Sequence, residues 1–446
     1  MGIVNLIKKV MSIFEIKSTL DGLGIKTAAS DTMEEKIKQW NNMYQDTGAL
    51  ALPSAICSEL ARLVCLELKT KITGSKRAEF IDECYQEFIS NVRRDCEYAL
   101  AGGGVIFKPY FDGEKIFVDT IKAGSFIPTV IDDTGKIRAC AFLEKAKRND
   151  TYYTRVEYHQ MTDEGYRVCN YAYSSASSGT LGKRIPLTDY QSWSKFSDEV
   201  TIANLKNPLF AYFKTPMANP FDRESPLGIS AFAKAEGLIH DANEQYKRLL
   251  WEFESGERAV YVDEGAFKKD KNGKILFPDK KLYRALGTGQ DEFFKDWTPT
   301  LREEDIIKGL NEILRKIEFT VGLAYGTISD AQQNDKTAEE IKSSKQRSYA
   351  TVCDVQNALK TALTDLIEAI DSTVDLYRLC EDGEINVSFE FDDSIIADRK
   401  TEFEEKKHLV SMGIMQPWEL RAWYFGEDEE TAKANLPPVD NEEIEI

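Results

Sequence analysis

Residues 337–382 contain neither glycine nor proline, and this uninterrupted stretch constrains the fold more than any other feature. A Thr-Ala-Glu-Glu pattern opens it. The Thr337 hydroxyl and the Glu340 carboxylate, three positions apart, can satisfy the first-turn amides that every helix leaves orphaned. Leu359, Leu363, Leu366, Ile367, Ile370, Val374 and Tyr377 then make a continuous apolar stripe, whereas the first half offers only Ile341, Tyr349, Val352 and Val355. The pattern predicts a helix of roughly forty residues, ~60 Å long, polar on most faces at its front and anchored in a core at its back. A helix of that length is expected to bridge parts of something larger.

Two shorter helices precede it. Leu310, Ile313, Leu314, Ile317 and Val321 recur at helical spacing from Glu303 onward, until Gly322, Gly326 and the polar run 329–336 break the pattern. Residues 229–254 form the other, with Phe232, Leu238, Ile239, Ala242, Tyr246, Leu249, Leu250 and Phe253 on its apolar faces and Gly256 at its end. Between them lies a small insert, 258–302. Short strands are expected there at 259–262, 275–277 and 282–285, around the turn Lys271-Asn272-Gly273. The whole segment reads as a helical hairpin with a decorated tip.

The N-terminal half differs in pattern. A helix over 32–44 carries Met33, Ile37, Trp40 and Tyr44, and Pro53 opens another with Ile56, Leu60, Leu63, Val64 and Leu68. A third, from about 77 to 100, stops at Gly102-Gly103-Gly104. From 105 to 173, β-rich runs separated by Asp112-Gly113, Asp133-Thr134-Gly135 and Asp163-Glu164-Gly165 predict an antiparallel meander, with 174–182 as a flexible tip. Residues 210–230 are an extended, proline-punctuated connector. Beyond the long helix, 384–391 alternates as a strand, 398–413 and 417–424 make a small helical cap, and the acidic end 437–446 reads as disordered.

Composition excludes several functions. At 446 residues and 42% hydrophobic, the chain can build two or three cored domains, but a net charge of -18 argues against sequence-reading of nucleic acid, which needs clustered Lys and Arg. The eight cysteines (57, 65, 84, 96, 140, 169, 353 and 380) contain no C-x-x-C pair and read as reduced, mostly buried thiols. Lys8 and Lys9 split the apolar N-terminus, so it makes a poor signal peptide, and Leu6 stands where a myristoylation signal needs Ser or Thr. No run reaches the length of a membrane span.

Chemistry-bearing patterns are sparse. His159, His240 and His408 lie far apart with no second ligand at metal spacing. Glu390-Asp392-Asp393 and Glu303-Glu304-Asp305 could hold a divalent cation, but the first ends a strand and the second opens a helix, where acids favour the dipole. Glycines 102–104 lack the Lys-Ser/Thr of a phosphate loop and close a helix instead of opening one. Tyr152, Tyr153, Tyr158, Tyr166, Tyr171 and Tyr173 could stack bases, although strand propensity already accounts for them. No catalytic residue, metal or cofactor is expected.

The order of these parts resembles a known family. Asn219-Pro220, Ser225-Pro226-Leu227-Gly228-Ile229-Ser230, Trp251-Glu252-Phe253, Gly326-Thr327-Ile328-Ser329 and Lys336-Thr337-Ala338-Glu339-Glu340-Ile341, in that sequence, are similar to the portal proteins of tailed bacteriophages, the branch infecting Gram-positive hosts. The resemblance implies an α+β, portal-like fold. Its parts would be a helical and antiparallel β wing over 1–226, a first stem helix over 227–256, a clip over 257–302 and a second stem helix over 303–323. A tunnel loop would follow over 324–336, then a long helix and returning wing strand over 337–397, and a short crown with acidic tail over 398–446. It also implies a homo-oligomeric ring, usually of twelve, in the virion at one capsid vertex, assembled in the bacterial cytoplasm. Double-stranded DNA would pass through it without sequence preference. The partners implied are the terminase large subunit, a head-completion or adaptor protein, and the major capsid and scaffold proteins; no membrane is implied. Thr327, Ser329, Asp330, Gln332, Gln333, Asn334, Asp335 and Lys336 would face the channel, on a loop with few buried contacts. Ala259, Val260, Tyr261, Val262, Ile275, Leu276 and Phe277 would assemble the clip. The alternatives are another ring or connector subunit of a phage particle and a carboxylate-metal enzyme.

Overall fold

Ser30 starts the first described helix, its hydroxyl accepting the Met33 N–H at 3.3 Å, and α1 (Asp31–Gln45) buries Met33, Ile37 and Trp40. The computed structural model describes residues 24–48, 50–66, 68–177, 180–256, 259–263, 283–286, 294–297, 300–330, 338–391 and 399–436, with the single positions 20, 22, 268 and 271. These divide into two units, Met1–Glu390 and Phe391–Ile446.

In the first unit, α2 (Leu52–Cys65) has Pro53 in its first turn and buries Ile56, Leu60 and Val64. The single helix expected over 77–100 is in fact two, α3 (Lys76–Ile89) and α4 (Val92–Gly102). The break falls at Ser90-Asn91. The Ser90 hydroxyl donates to the Glu87 carbonyl at 2.8 Å, a side chain competing with the helical ladder, and the Asn91 backbone carbonyl accepts the Arg94 N–H at 3.0 Å to start the next helix. Gly103 ends α4 with φ at +91°, and a Cβ on it would lie 2.3 Å from the Gly228 carbonyl oxygen. The glycine run is a helix terminus, as its sequence position implies.

The strands form two sheets where one meander is expected. β2 (Gly104–Phe111) and β3 (Ile116–Lys122) join β10 (Ala211–Lys214) in the order β10-β2-β3. β4 (Phe126–Ile131), β5 (Ile137–Arg148), β6 (Thr151–Thr162), β7 (Gly165–Ser175) and β8 (Lys183–Ile185) form the meander proper, and β9 (Glu199–Ile202) also pairs with β7. The chain leaves the first sheet through Gly124, whose φ of +91° lets it turn between β3 and β4. Ala139, Ala141, Val156, Tyr158 and Cys169 face a common core, so Tyr158 is packing and not a stacking platform.

Residues 229–232 are not helical, contrary to the pattern. Their polar groups are used on the end of α4: Ala231 N–H donates to the Leu100 carbonyl at 2.8 Å, and the Thr215 hydroxyl sits 2.7 Å from the Ile229 carbonyl oxygen. The helix α5 (Glu236–Ser255) starts after a short 3-10 turn. It packs against α6 (Glu303–Val321) as the expected hairpin. In the insert, β11 (Ala259–Asp263) runs parallel to β12 (Tyr283–Leu286) and antiparallel to β13 (Phe294–Trp297). β13 has no counterpart in the sequence reading, and Ile275, Leu276 and Phe277 lie outside the described residues.

The long helix is present as α7 (Ala338–Tyr377), 40 residues, and buries Leu359, Leu363, Leu366, Ile367, Ile370 and Val374. It is tied to the N-terminal helices by Gln356, which donates to the Val64 carbonyl at 3.3 Å. Buried Arg77 adds ion pairs to Asp371 and Asp375, both at 2.6 Å. β14 (Asn386–Glu390) pairs antiparallel with β1 (Lys69–Thr73), a strand missed in sequence because its partner lies some three hundred residues away.

In the second unit, α8 (Arg399–Ser411) and α9 (Pro417–Phe425) match the expected helices, and α10 (Glu429–Ala434) is an addition capped by Asp428. Ala432 is buried there, while Met412, Ile414, Tyr424 and Phe425 are exposed. Asp392, Asp393 and the 437–446 tail lie outside the described residues.

Candidate functional site: the two ends of the helical hairpin

At its C-terminal end α6 is closed by Gly322, in the left-handed region at +78°, whose N–H and that of Leu323 both return to the Glu318 carbonyl. A Cβ on Gly322 would fall 2.2 Å from Thr351 Oγ1 of α7, so the hairpin end and the long helix touch at a point only glycine allows. Leu323 is fully buried beneath the turn.

The Glu318 side chain organises the turn beyond α6. It is fully buried, and its Oε1 accepts the N–H groups of Ile328 at 2.7 Å and Ser329 at 2.9 Å. Its Oε2 accepts the Gly326 N–H at 3.2 Å and the Ser329 hydroxyl at 2.8 Å. One heptad earlier on the same buried face, Asn311 Oδ1 accepts the Asp330 N–H at 2.7 Å. Two polar side chains of α6 therefore hold residues 326–330 against the helix. Above them Arg347 of α7 lies over the Phe319 ring at 4.2 Å and the Tyr325 ring at 5.7 Å.

This corrects the expectation of a loop with few buried contacts. Ser329 is buried and Asp330 is held by its backbone, while Thr327 is exposed and bonded locally to the Ala324 carbonyl at 2.6 Å. Gln332, Gln333, Asn334, Asp335 and Lys336 lie outside the described residues. Glu318 and Asn311 escaped sequence reading. Their signal is a pair of polar residues seven apart inside an apolar stripe, where a helix ordinarily keeps only apolar side chains.

The other end of the hairpin uses the same device in a wetter setting. The Glu252 carboxylate accepts the Arg302 backbone N–H at 3.1 Å, and the Arg302 guanidinium at 3.2 Å from Nε and 2.8 Å from Nη2. The Arg302 side chain is 72% exposed. These bonds, above all the one to the guanidinium, hold the Glu252 carboxyl below its ordinary range. The two strands of chain that enter and leave the insert are thus clamped together, and β11, carrying Ala259, Val260, Tyr261 and Val262, starts just beyond.

Charges on the hairpin are partly used within the chain. Glu236 accepts from Lys36 at 2.9 Å, Gln39 at 3.1 Å and the Trp40 indole, so it ties α5 to α1 and is not displayed. Glu244 pairs with Lys247 at 2.7 Å, and Lys234 is exposed. His159 is fully enclosed in the β6 cluster, and among the described residues no group of three or more His, Cys, Asp or Glu side chains is placed to hold a metal. The eight thiols are free. No described helix is long and apolar enough to cross a membrane.

A family described as phage portal protein, SPP1 Gp6-like, matches residues 31–445. Among solved structures, the chain is similar to a chain in the neck of a native GTA particle computed with C12 symmetry. The identity is 10% and the TM-score 0.42, and the match covers 86% of this chain and 91% of that one. No curated protein matches.

Proposed function

The chain belongs to the SPP1 Gp6-like phage portal protein family, whose members form the conduit for genome packaging and ejection at one capsid vertex, and on that premise we propose how its segments divide this work. One continuous family match from 31 to 445 carries the proposal, because it takes in the N-terminal sheets, the hairpin, the insert and the long helix together. Twelve copies close a ring. Residues 1–226 form the wing, α5 and α6 the stem, and 257–302 the clip, on which the terminase large subunit and then the head-completion protein dock. Residues 324–336 face the channel, α7 crosses into the wing, and 398–446 form a short crown. Capsid and scaffold proteins contact the ring, and the packaging ATPase is a separate protein.

The acidic composition supports this reading. A bore lined with cations would brake a passing phosphate backbone, whereas net repulsion lets DNA slide without sequence preference. The small β insert supports it as well, since a three-stranded sheet on a hairpin tip has little core of its own and gains one from neighbours.

Particle images of the purified chain test the proposal. A closed ring of twelve with an open axis wide enough for duplex DNA is expected. A ring without such a hole assigns the chain to another connector position in the particle. Mg²⁺-dependent turnover lost on changing Asp392 or Asp393 would return it to the carboxylate-metal alternative.

A further inference from the structure

We propose that the turn formed by Gly326, Ile328 and Ser329 is an oxyanion nest whose resident ligand is the Glu318 side chain, and that it accepts an external carboxylate or phosphate once that side chain is removed. Three peptide N–H groups and one hydroxyl converge on a single carboxylate at 2.7 to 3.2 Å. Gly326 adopts φ of +86°, a left-handed turn residue, and its N–H meets the same carboxylate as those of residues 328 and 329. Peptide amides brought around one anion through a left-handed residue are the arrangement that holds phosphates in nucleotide-binding loops.

Two features make this a site and not merely a hydrogen-bonded turn. The donors that the described residues give Glu318 are all neutral, so the cradle selects an oxyanion by shape and donor direction and not by a fixed counter-charge. The two ends of the turn are also held by groups other than its ligand. Asn311 holds Asp330 at 2.7 Å, Leu323 is fully buried, and the chain passes Gly322 against Thr351. Cutting the side chain back to Cβ empties the oxyanion position while both ends of the turn stay anchored, so an anion of the right size can gather the donors again. The emptied position is enclosed, since Glu318 is fully buried and Ser329 is buried beside it, so a small anion fits it and a polymer does not.

Amide hydrogen exchange on the full-length chain tests the nest without requiring a ring or DNA. Wild type, Glu318→Ala and Glu318→Gln are compared in acetate, inorganic phosphate or chloride at matched ionic strength. In Glu318→Ala the amides of Gly326, Ile328 and Ser329 are expected to exchange about tenfold faster or more, the equivalent of one lost hydrogen bond. Acetate or phosphate then slows them again in a saturable manner, while chloride does not and wild type responds to none. Exchange indifferent to all three anions, or slowed equally by chloride, overturns the nest.

Should Glu318→Ala fail to fold, Glu318→Gln decides. Its one remaining oxygen is expected to protect Ile328 and Ser329 while Gly326 alone speeds up, and uniform loss at all three overturns the proposal.

Discussion

Two glutamates, Glu157 in the sheets with its side chain 15% exposed and Glu318 fully buried at the hairpin end, are neutralised in opposite ways. Glu157 on β6 meets Lys108 of β2 at 2.7 Å, Arg155 at 3.1 Å and the His159 ring at 2.7 Å. Burial alone would raise its pKa, but the field of Lys108, with His159 and Arg155, outweighs it and holds the carboxyl well below the ordinary carboxylate range. Glu318 is more deeply placed and meets peptide N–H groups and a hydroxyl. A carboxylate flanked by cations cross-links two sheets and cannot leave without stranding charge. One flanked by amides shapes a turn, and its absence strands only donors that another anion can satisfy.

The largest expected effect comes from the stranded charge. Glu157→Ala leaves Lys108, whose side chain is 13% exposed, without its ion-pair partner, while Arg155 keeps Glu144 at 2.8 Å. A loss of about 3–5 kcal/mol in denaturant unfolding of the sheet region is expected, as for other broken buried pairs. The double change Lys108→Met/Glu157→Leu should recover much of it, because both charges then leave together. If the single change costs no more than a surface substitution, the contrast between the two glutamates fails.

Glu318→Ala comes second, at about 1–3 kcal/mol, the range for leaving buried donors unsatisfied. The loss should be local. Exchange protection at 326–330 falls, while the sheets, the insert and ring assembly stay as they are. Simultaneous loss of protection in β5–β7 would show that the turn is part of the same cooperative unit, and the two glutamates would no longer differ in reach.

A pH scan sharpens the difference from the other side. His159 is fully buried, with Tyr166 Oη at 2.7 Å from Nδ1 and Glu157 at 2.7 Å from Nε2. Tyr166 Oη accepts the Leu209 N–H at 3.1 Å, so it donates to Nδ1 and leaves Nε2–H to donate to Glu157. Burial pushes the His159 pKa below its ordinary 6.5, against the pull of Glu157. As pH falls below about 6.5, the unfolded chain takes up a proton that folded His159 does not, so stability declines from there down to the folded pKa. Glu157 has the depressed carboxylate sign. Its contribution is complete above the ordinary value of 4.5 and disappears only as pH passes down through its lower folded value. Exchange in β5–β7 should therefore rise in two steps on acidification, and His159→Gln should abolish the first alone.

How much of the molecule is legible in its sequence depends on how far each signal reaches. The long helix was legible because its stripe, Leu359 to Val374, and its freedom from glycine are both local, and the hairpin was legible for the same reason. The break at Ser90-Asn91 was missed because the competing hydrogen bond comes from an ordinary polar residue inside an otherwise helical pattern. The second sheet was missed because β10 joins β2 across about a hundred residues, with Ala211 opposite Phe107. The role of Glu236 has no local signal, because nothing near it in sequence announces Trp40 as its partner. The end of α6 at Gly322 was legible from its glycine, but the tether of the turn that follows was not read. A buried acid beside Ile317 looks like the edge of the apolar face until Gly326 and Ser329 are seen to fold back onto it.

The smallest effect belongs to charges that neither cross-link sheets nor shape a turn. Glu244 and Lys247 lie three residues apart on α5, with side chains 47% and 63% exposed. Such a pair is screened by water and salt and must fix two long side chains to form, so its net contribution is slight. It is also already made within one chain, which leaves less charge for a neighbour. Lys247→Ala should therefore leave both thermal unfolding and ring assembly unchanged. Assembly should be nearly as complete in about 1 M salt, where exposed charges are screened over a few ångströms, as at low ionic strength. Rings that fall apart in salt, and fall apart sooner with Lys247→Ala, would place this pair between subunits. Surface charge would then join the buried carboxylates as a determinant of the ring.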